Sequence, residues 1–181
     1  MEPIGKNAAL AARTSENDPL LLVMAADHVI QDNEAFASAI AKAVPLTEEG
    51  KPITFGIAPT EPHVGYGYIK RGSKVGDGFK VSGFSQKPAI DQAQEYVNTD
   101  IYYWNSGKFL FRASRYLEEL KKFRPDIYAI CKCNMAVIES DMVFLRINEN
   151  QFRLCSSESK DYSVMEQTCR CNCGPYECRV E

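Results

Sequence analysis

DPLLLVMAADHVI (Asp18–Ile30) decides the fold class. Its apolar run, Leu20 to Ala26, stops at Asp27, and after a turn NEAFASAIAKAVPL (33–46) carries apolar residues at helical spacing. PITFGIAP (52–59) is again short, apolar and rich in β-formers. A buried strand, a crossover helix and a second buried strand make a βαβ unit, so the expected class is α/β with a mixed, mainly parallel sheet and helices on its faces.

Further along, YGYIKRG and FKVSGFSQKP alternate as two short strands joined by a Gly-rich turn, and AIDQAQEYVNT after Pro88 reads as a helix. YYWNSGKFLFRA is an aromatic strand, ASRYLEELKKF a helix with Ser114 as N-cap, and PDIYAICKCNMAVI a further helix.

The composition is that of an ordinary soluble globular chain: 181 residues, 45% apolar, 25% charged and a net charge of -3. That charge gives no electrostatic argument for a nucleic-acid partner or an anionic membrane surface, so any phosphate site must be local. The longest apolar run is too short to span a bilayer, and the N-terminus lacks the pattern of a secretory signal. The expected location is therefore the cytoplasm, where free thiols are normal.

Single residues leave alternatives open. Asp27, at the carboxyl end of a strand, suits a magnesium ligand or a helix cap, and His28 and His63 read better as structural or surface groups. Lys87, at a strand end before Pro88, can meet a phosphate or face solvent. Asn105 in WNSG can serve a sugar diol or a turn. Of seven cysteines, Cys169, Cys171, Cys173 and Cys178 crowd the end without the paired spacing of a zinc site. Cys131 and Cys133 lie two apart on a helix and face different ways.

In order, EPIGKNAALAA, LLLVMAADHVI, ITFGIAPTEPHVGYGYI, FSQKP, YYWNSGKFLFRASRYLEEL and DYSVMEQT resemble the mannose-1-phosphate guanylyltransferases, from Glu2 to Thr168. The resemblance implies a Rossmann-like nucleotidyltransferase fold lacking its first βα unit. It implies transfer of GMP from GTP to mannose 1-phosphate, giving GDP-mannose and pyrophosphate, with Mg2+ as cofactor and a homo-oligomer as a compatible assembly. Asp27 is then a metal ligand and Lys87 contacts the sugar phosphate, while Gly67, Tyr68, Gln86 and Asn105 bind the sugar. Glu2, Pro3, Gly5 and Asn7 belong to the nucleotide side. Gln86 stands where the family has glutamate, Lys6 where arginine is usual, Ala8 and Leu10 where it has threonine and proline, and Lys108 where it has methionine. With the Gly-rich nucleotide loop absent, this chain is expected to be weak or inactive. The alternatives are another sugar-1-phosphate nucleotidyltransferase or a non-catalytic sugar-phosphate-binding remnant.

Residues 1–168 thus read as a partial nucleotidyltransferase domain and 169–181 as a non-homologous tail. Codons that spell CRCNCGPYECRVE can, one base out of frame, spell ADVIVVPMNAGWS, which resembles the family's next strand and its second metal-ligand motif. A frameshift near codon 169 is the expectation, with a tail that packs poorly and binds no specific metal.

Overall fold

A computed structural model describes residues 8–13, 16–24, 29–136, 139–141, 144–146 and 172–176. The chain divides into two units: Met1–Leu21 with Arg112–Thr168, and Leu22–Phe111 with Cys169–Glu181.

The second unit is built on a sheet. Strand β1 (Leu20–Val23), at which the units divide, leads towards helix α1 (Asn33–Glu48). Asp32 caps α1 by accepting a hydrogen bond from Ala35 N at 2.8 Å, satisfying one of the first-turn donors that a helix leaves unpaired. Phe36 on its buried side meets Phe55 edge-on at 5.9 Å between ring centroids. Phe55 belongs to β2 (Ile53–Ile57), which is buried at every position. The glycine-rich stretch folds as expected into a hairpin, β3 (Gly67–Val75) and β4 (Gly78–Gln86). Its two-residue turn, Gly76-Asp77, places Gly76 at φ +56°, where a residue without Cβ is least strained. Helix α2 (Ile90–Val97) and the long strand β5 (Tyr102–Arg112) follow.

With β8 (Asn172–Tyr176) included, the strand order is β1-β5-β2-β8-β4-β3, with β3 also pairing with β5. The sheet is mixed, but the expectation of a mainly parallel one is corrected. Among the described pairings β2–β5, β3–β4, β3–β5 and β4–β8 are antiparallel, and only β2–β8 is parallel. The tight turn at Gly76-Asp77 can only join antiparallel neighbours, and β5 then runs against both β2 and β3.

The parallel partner of β2 is β8 (Asn172–Tyr176), from the cysteine-rich tail, and this corrects the expectation that the tail packs poorly. A fully buried strand such as β2 needs partners on both sides for its backbone N–H and C=O groups. An extended backbone supplies them with little regard to its side chains, except at Pro175, which has no N–H to give.

In the first unit, α3 (Ala113–Phe123) and α4 (Pro125–Ala136) form where apolar residues recur at helical spacing. Tyr116, Leu117 and Leu120 are buried on α3, and Ile127, Cys131 and Asn134 on α4. Cys131 is buried and Cys133 exposed, so the two thiols do face different ways. Ser114 is not the N-cap of α3; Arg112 holds that position and makes no side-chain cap bond. The cap comes instead from Asp18, whose Oδ1 accepts from Ser114 N at 2.8 Å and whose Oδ2 accepts from Ser114 Oγ at 2.6 Å. A short hairpin, β6 (Glu139–Asp141) with β7 (Phe144–Arg146), follows. No helix among the described residues is long and apolar enough to cross a membrane.

Candidate functional site

The site grows from an irregularity in β5. Between the register pairs Thr54↔Phe109 and Gly56↔Asn105, β2 contributes only Phe55, while β5 contributes Ser106, Gly107 and Lys108. Such a bulge re-aims the side chains beside it. Gly107 supplies the left-handed turn at φ +67°. The flanking polar side chains take over the lost ladder bonds. Ser106 Oγ donates to Phe55 O at 2.7 Å and accepts from Lys108 N at 3.3 Å. Asn105 Oδ1 accepts from Gly107 N at 3.1 Å and from Thr54 Oγ1 at 3.4 Å.

The bulge brings neighbouring residues of one strand, Trp104, Asn105, Ser106 and Lys108, onto one pocket of about 180 Å³. In a regular strand successive side chains would alternate between faces. The other walls are Ile57 at the end of β2, Thr60 and Glu61 in the following loop, and Tyr66. Tyr66 stacks on His63 at 3.9 Å and presents its ring edge-to-face to Trp104 at 5.3 Å. His63 Nδ1 accepts from Gly65 N at 3.1 Å, so this half-buried histidine, expected simply to lie at the surface, shapes the loop behind Tyr66.

Three of the residues assigned to the sugar converge here. Gly67 pairs with Gln86 across the β3–β4 hairpin. A Cβ added at Gly67 would lie 3.3 Å from Gln86 Oε1 and 3.6 Å from Asn105 Cβ. A side chain at Gly67 would ask the Gln86 amide to give by a few tenths of an ångström and would make an ordinary contact with Asn105. Tyr68 lies next to them in sequence, but its side chain is fully buried. Its hydroxyl donates to His63 O at 3.0 Å and accepts from His63 N at 3.1 Å. That side chain anchors the loop; only the Tyr68 backbone adjoins the cluster. Lys87 follows Gln86 and is exposed, with φ at +43°, a left-handed conformation unusual for a lysine. Non-glycine residues held this way concentrate where a side chain must be aimed.

Asp27, assigned to the metal, lies outside the described residues, as do Glu2, Pro3, Gly5 and Asn7 on the nucleotide side. Among the described residues no group of three or more His, Cys, Asp or Glu side chains could hold a metal ion.

Sequence reading missed the pocket's other walls. Lys108 was noticeable only as a departure from the resembling family, and Ser106, Tyr66 and Glu61, though they lie within stretches that carry the resemblance, were given no role. The available signal was the Asn-Ser-Gly run inside a strand pattern, since a glycine there marks a bulge or a close approach.

With this architecture in view, the chain belongs to the Nucleotidyl transferase family, which it matches over residues 2–150. It is similar to the mannose-1-phosphate guanylyltransferase of Escherichia coli K12, at 50% identity over 93% of this chain and 38% of that protein. This chain thus spans about two-fifths of the length of the curated relatives it matches. Among solved structures it is similar to mannose-6-phosphate isomerase from Helicobacter pylori, with TM-score 0.86, 29% identity, and coverage of 99% of this chain and 69% of that one. It also resembles mannose-1-phosphate geranyltransferase from Thermus thermophilus, with TM-score 0.82, 28% identity, and coverage of 99% and 50% respectively.

Proposed function

We propose that this chain is the sugar-phosphate-binding portion of a mannose-1-phosphate guanylyltransferase. In the whole reaction a phosphate oxygen of mannose 1-phosphate attacks the α-phosphorus of GTP, forming the new P–O bond as pyrophosphate leaves. The protein forms no covalent bond; it positions two anions and neutralises charge.

The observation that carries this reading is the juxtaposition of Gly67, Gln86 and Asn105 beside a pocket that Asn105 lines. Asn105 Oδ1 is engaged by Gly107 and Thr54, and this leaves the amide N–H groups to donate to a sugar hydroxyl. Gln86 offers an amide on the other side of Gly67, and Lys87 next to it supplies an ammonium for the sugar phosphate. The guanylyltransferases among the relatives support the base and the sugar. Magnesium, held in part by Asp27, would stabilise charge on the phosphates.

The test is direct. Pyrophosphate release from GTP and mannose 1-phosphate is measured with the 181-residue chain, alongside calorimetric titration of mannose 1-phosphate. Saturable binding of the sugar phosphate, with or without turnover, is the expected result. Turnover would assign the whole activity to this chain, and binding alone would assign it a non-catalytic sugar-phosphate site. Absence of both would refute the reading.

A further inference from the structure

His63 is pinned to the loop that carries Tyr66. Its backbone N–H and C=O both bond the Tyr68 hydroxyl, at 3.1 and 3.0 Å, and its Nδ1 accepts from Gly65 N at 3.1 Å. Its ring stacks on Tyr66, with centroids 3.9 Å apart and planes 15° from parallel. The fit is close, since a Cβ added at Gly65 would come within 2.9 Å of His63 Cε1. Tyr66 in turn lines the pocket and sets its ring edge-to-face against Trp104, so the His63 ring fixes one pocket wall from behind. An Nδ1 that accepts carries no proton, so the ring in this bond is the neutral tautomer protonated on Nε2. A second proton makes both ring nitrogens donors and sets N–H against N–H at 3.1 Å. The ring must then turn away from Gly65. A charged ring is also drawn more strongly to the face of Tyr66, so the two rings move together. The other titratable side chains around it are Glu61 and Tyr66 of the same loop, Tyr68 of β3 and, across the pocket, Lys108 of β5. Imidazole is the side chain that ordinarily changes charge between pH 5 and 8.

We propose that His63 is a positioning residue for sugar-phosphate binding: its neutral ring holds the Tyr66 wall in place, and protonation in mild acid shifts that wall and weakens binding. The inference rests on the sugar-phosphate reading above, and deepens it by naming what controls the shape of the pocket. An asparagine at position 63 can offer its Oδ1 to the N–H two residues on, as asparagine does in turns, and it does not titrate. A phenylalanine keeps a ring for Tyr66 but offers no acceptor. The two substitutions therefore separate the hydrogen bond from the stack.

Fluorescence of Trp104, the one tryptophan, is followed in the ligand-free 181-residue chain as pH is lowered from about 8 to about 5. The wild-type chain should show one transition, and His63→Asn and His63→Phe none. Mannose 1-phosphate is then titrated calorimetrically at both ends of that range. Its phosphate changes charge over the same interval, so the comparison that counts is between chains at one pH. At the alkaline end His63→Asn should bind within about threefold of wild type and His63→Phe about tenfold more weakly, the range expected of one lost hydrogen bond. At the acid end the wild type should fall about tenfold below His63→Asn. A flat wild-type fluorescence profile, or a transition that persists in either variant, overturns the inference and leaves the sugar-phosphate reading standing. So does a ratio of wild-type to His63→Asn affinity that is the same at both ends. If no chain binds mannose 1-phosphate at either pH, the sugar-phosphate reading falls and takes the inference with it. The wild-type profile needs no variant, and where one substitution prevents folding the other still decides whether the transition belongs to His63.

Discussion

Asn105 carries two roles that can be separated by changing one atom of its side chain. In Asn105→Ala, the buried Gly107 N–H loses its acceptor at 3.1 Å, and Thr54 Oγ1 loses a longer bond at 3.4 Å. An unpaired buried donor costs about 1–3 kcal/mol, and the weaker Thr54 bond adds little, so a loss of roughly 2 kcal/mol is expected. Asn105→Asp keeps an oxygen for both donors, and should cost less than about 1 kcal/mol. It removes the amide N–H groups, however, and sets a carboxylate in the pocket proposed for the sugar phosphate. Affinity for mannose 1-phosphate should therefore fall at least tenfold, a change of about 1.4 kcal/mol. Urea denaturation followed by tryptophan fluorescence reads the stability term. The chain has one tryptophan, Trp104, which itself lines the pocket, so the same signal reports ligand titration. If Asn105→Asp were as unstable as Asn105→Ala, or bound the sugar phosphate as tightly as the wild type, the division of labour between Oδ1 and Nδ2 would be wrong.

The clamp on α3 makes stability depend on pH. Burial raises the Asp18 carboxyl pKa, but the bonds from Ser114 and the charges of Arg112 and Arg13 outweigh it and hold the group below its ordinary value of 3.8. Since the folded pKa is the lower one, this stabilisation is complete above the ordinary carboxylate value and disappears as pH falls through the depressed one. Asp18→Asn should therefore cost about 1–2 kcal/mol near neutrality, and the difference from wild type, followed by urea melts, should close in strong acid. At Gly107, φ of +67° makes Gly107→Ala costly by about 1–2 kcal/mol, read as a lower urea midpoint. Lys87→Gly should relieve the left-handed strain and raise stability by up to about 1 kcal/mol, while calorimetry shows weaker binding of mannose 1-phosphate.

Much of the secondary structure was legible because it rests on local pattern. The apolar run from Leu20, the alternation on either side of Gly76-Asp77 and the helical spacing in ASRYLEELKKF each declare a period of about 2 or 3.6, and the structure has a strand, a hairpin and a helix there. Sheet direction was misread because the first strand-helix-strand unit was taken as the rule for strands that a tight turn then reverses. The Ser114 cap was misread because a serine before a helical run is a local signal, whereas the group that caps α3 comes from Asp18, 96 residues away. The tail was misread because its polar, cysteine-rich side chains conceal a backbone that can still pair with β2.

The sequence by itself determined the α/β class, through local periodicity, and its resemblance to a known family supplied the nucleotidyltransferase family and the candidacy of Gly67, Gln86, Lys87 and Asn105. Only the tertiary structure decided that Gly67, Gln86 and Asn105 meet, that Tyr68 turns its side chain into the core, and that Lys108 lines the pocket beside Asn105. The physical reason is the bulge at Gly107. Its existence depends on how β5 registers against β2, a pairing between strands about fifty residues apart that no local pattern records.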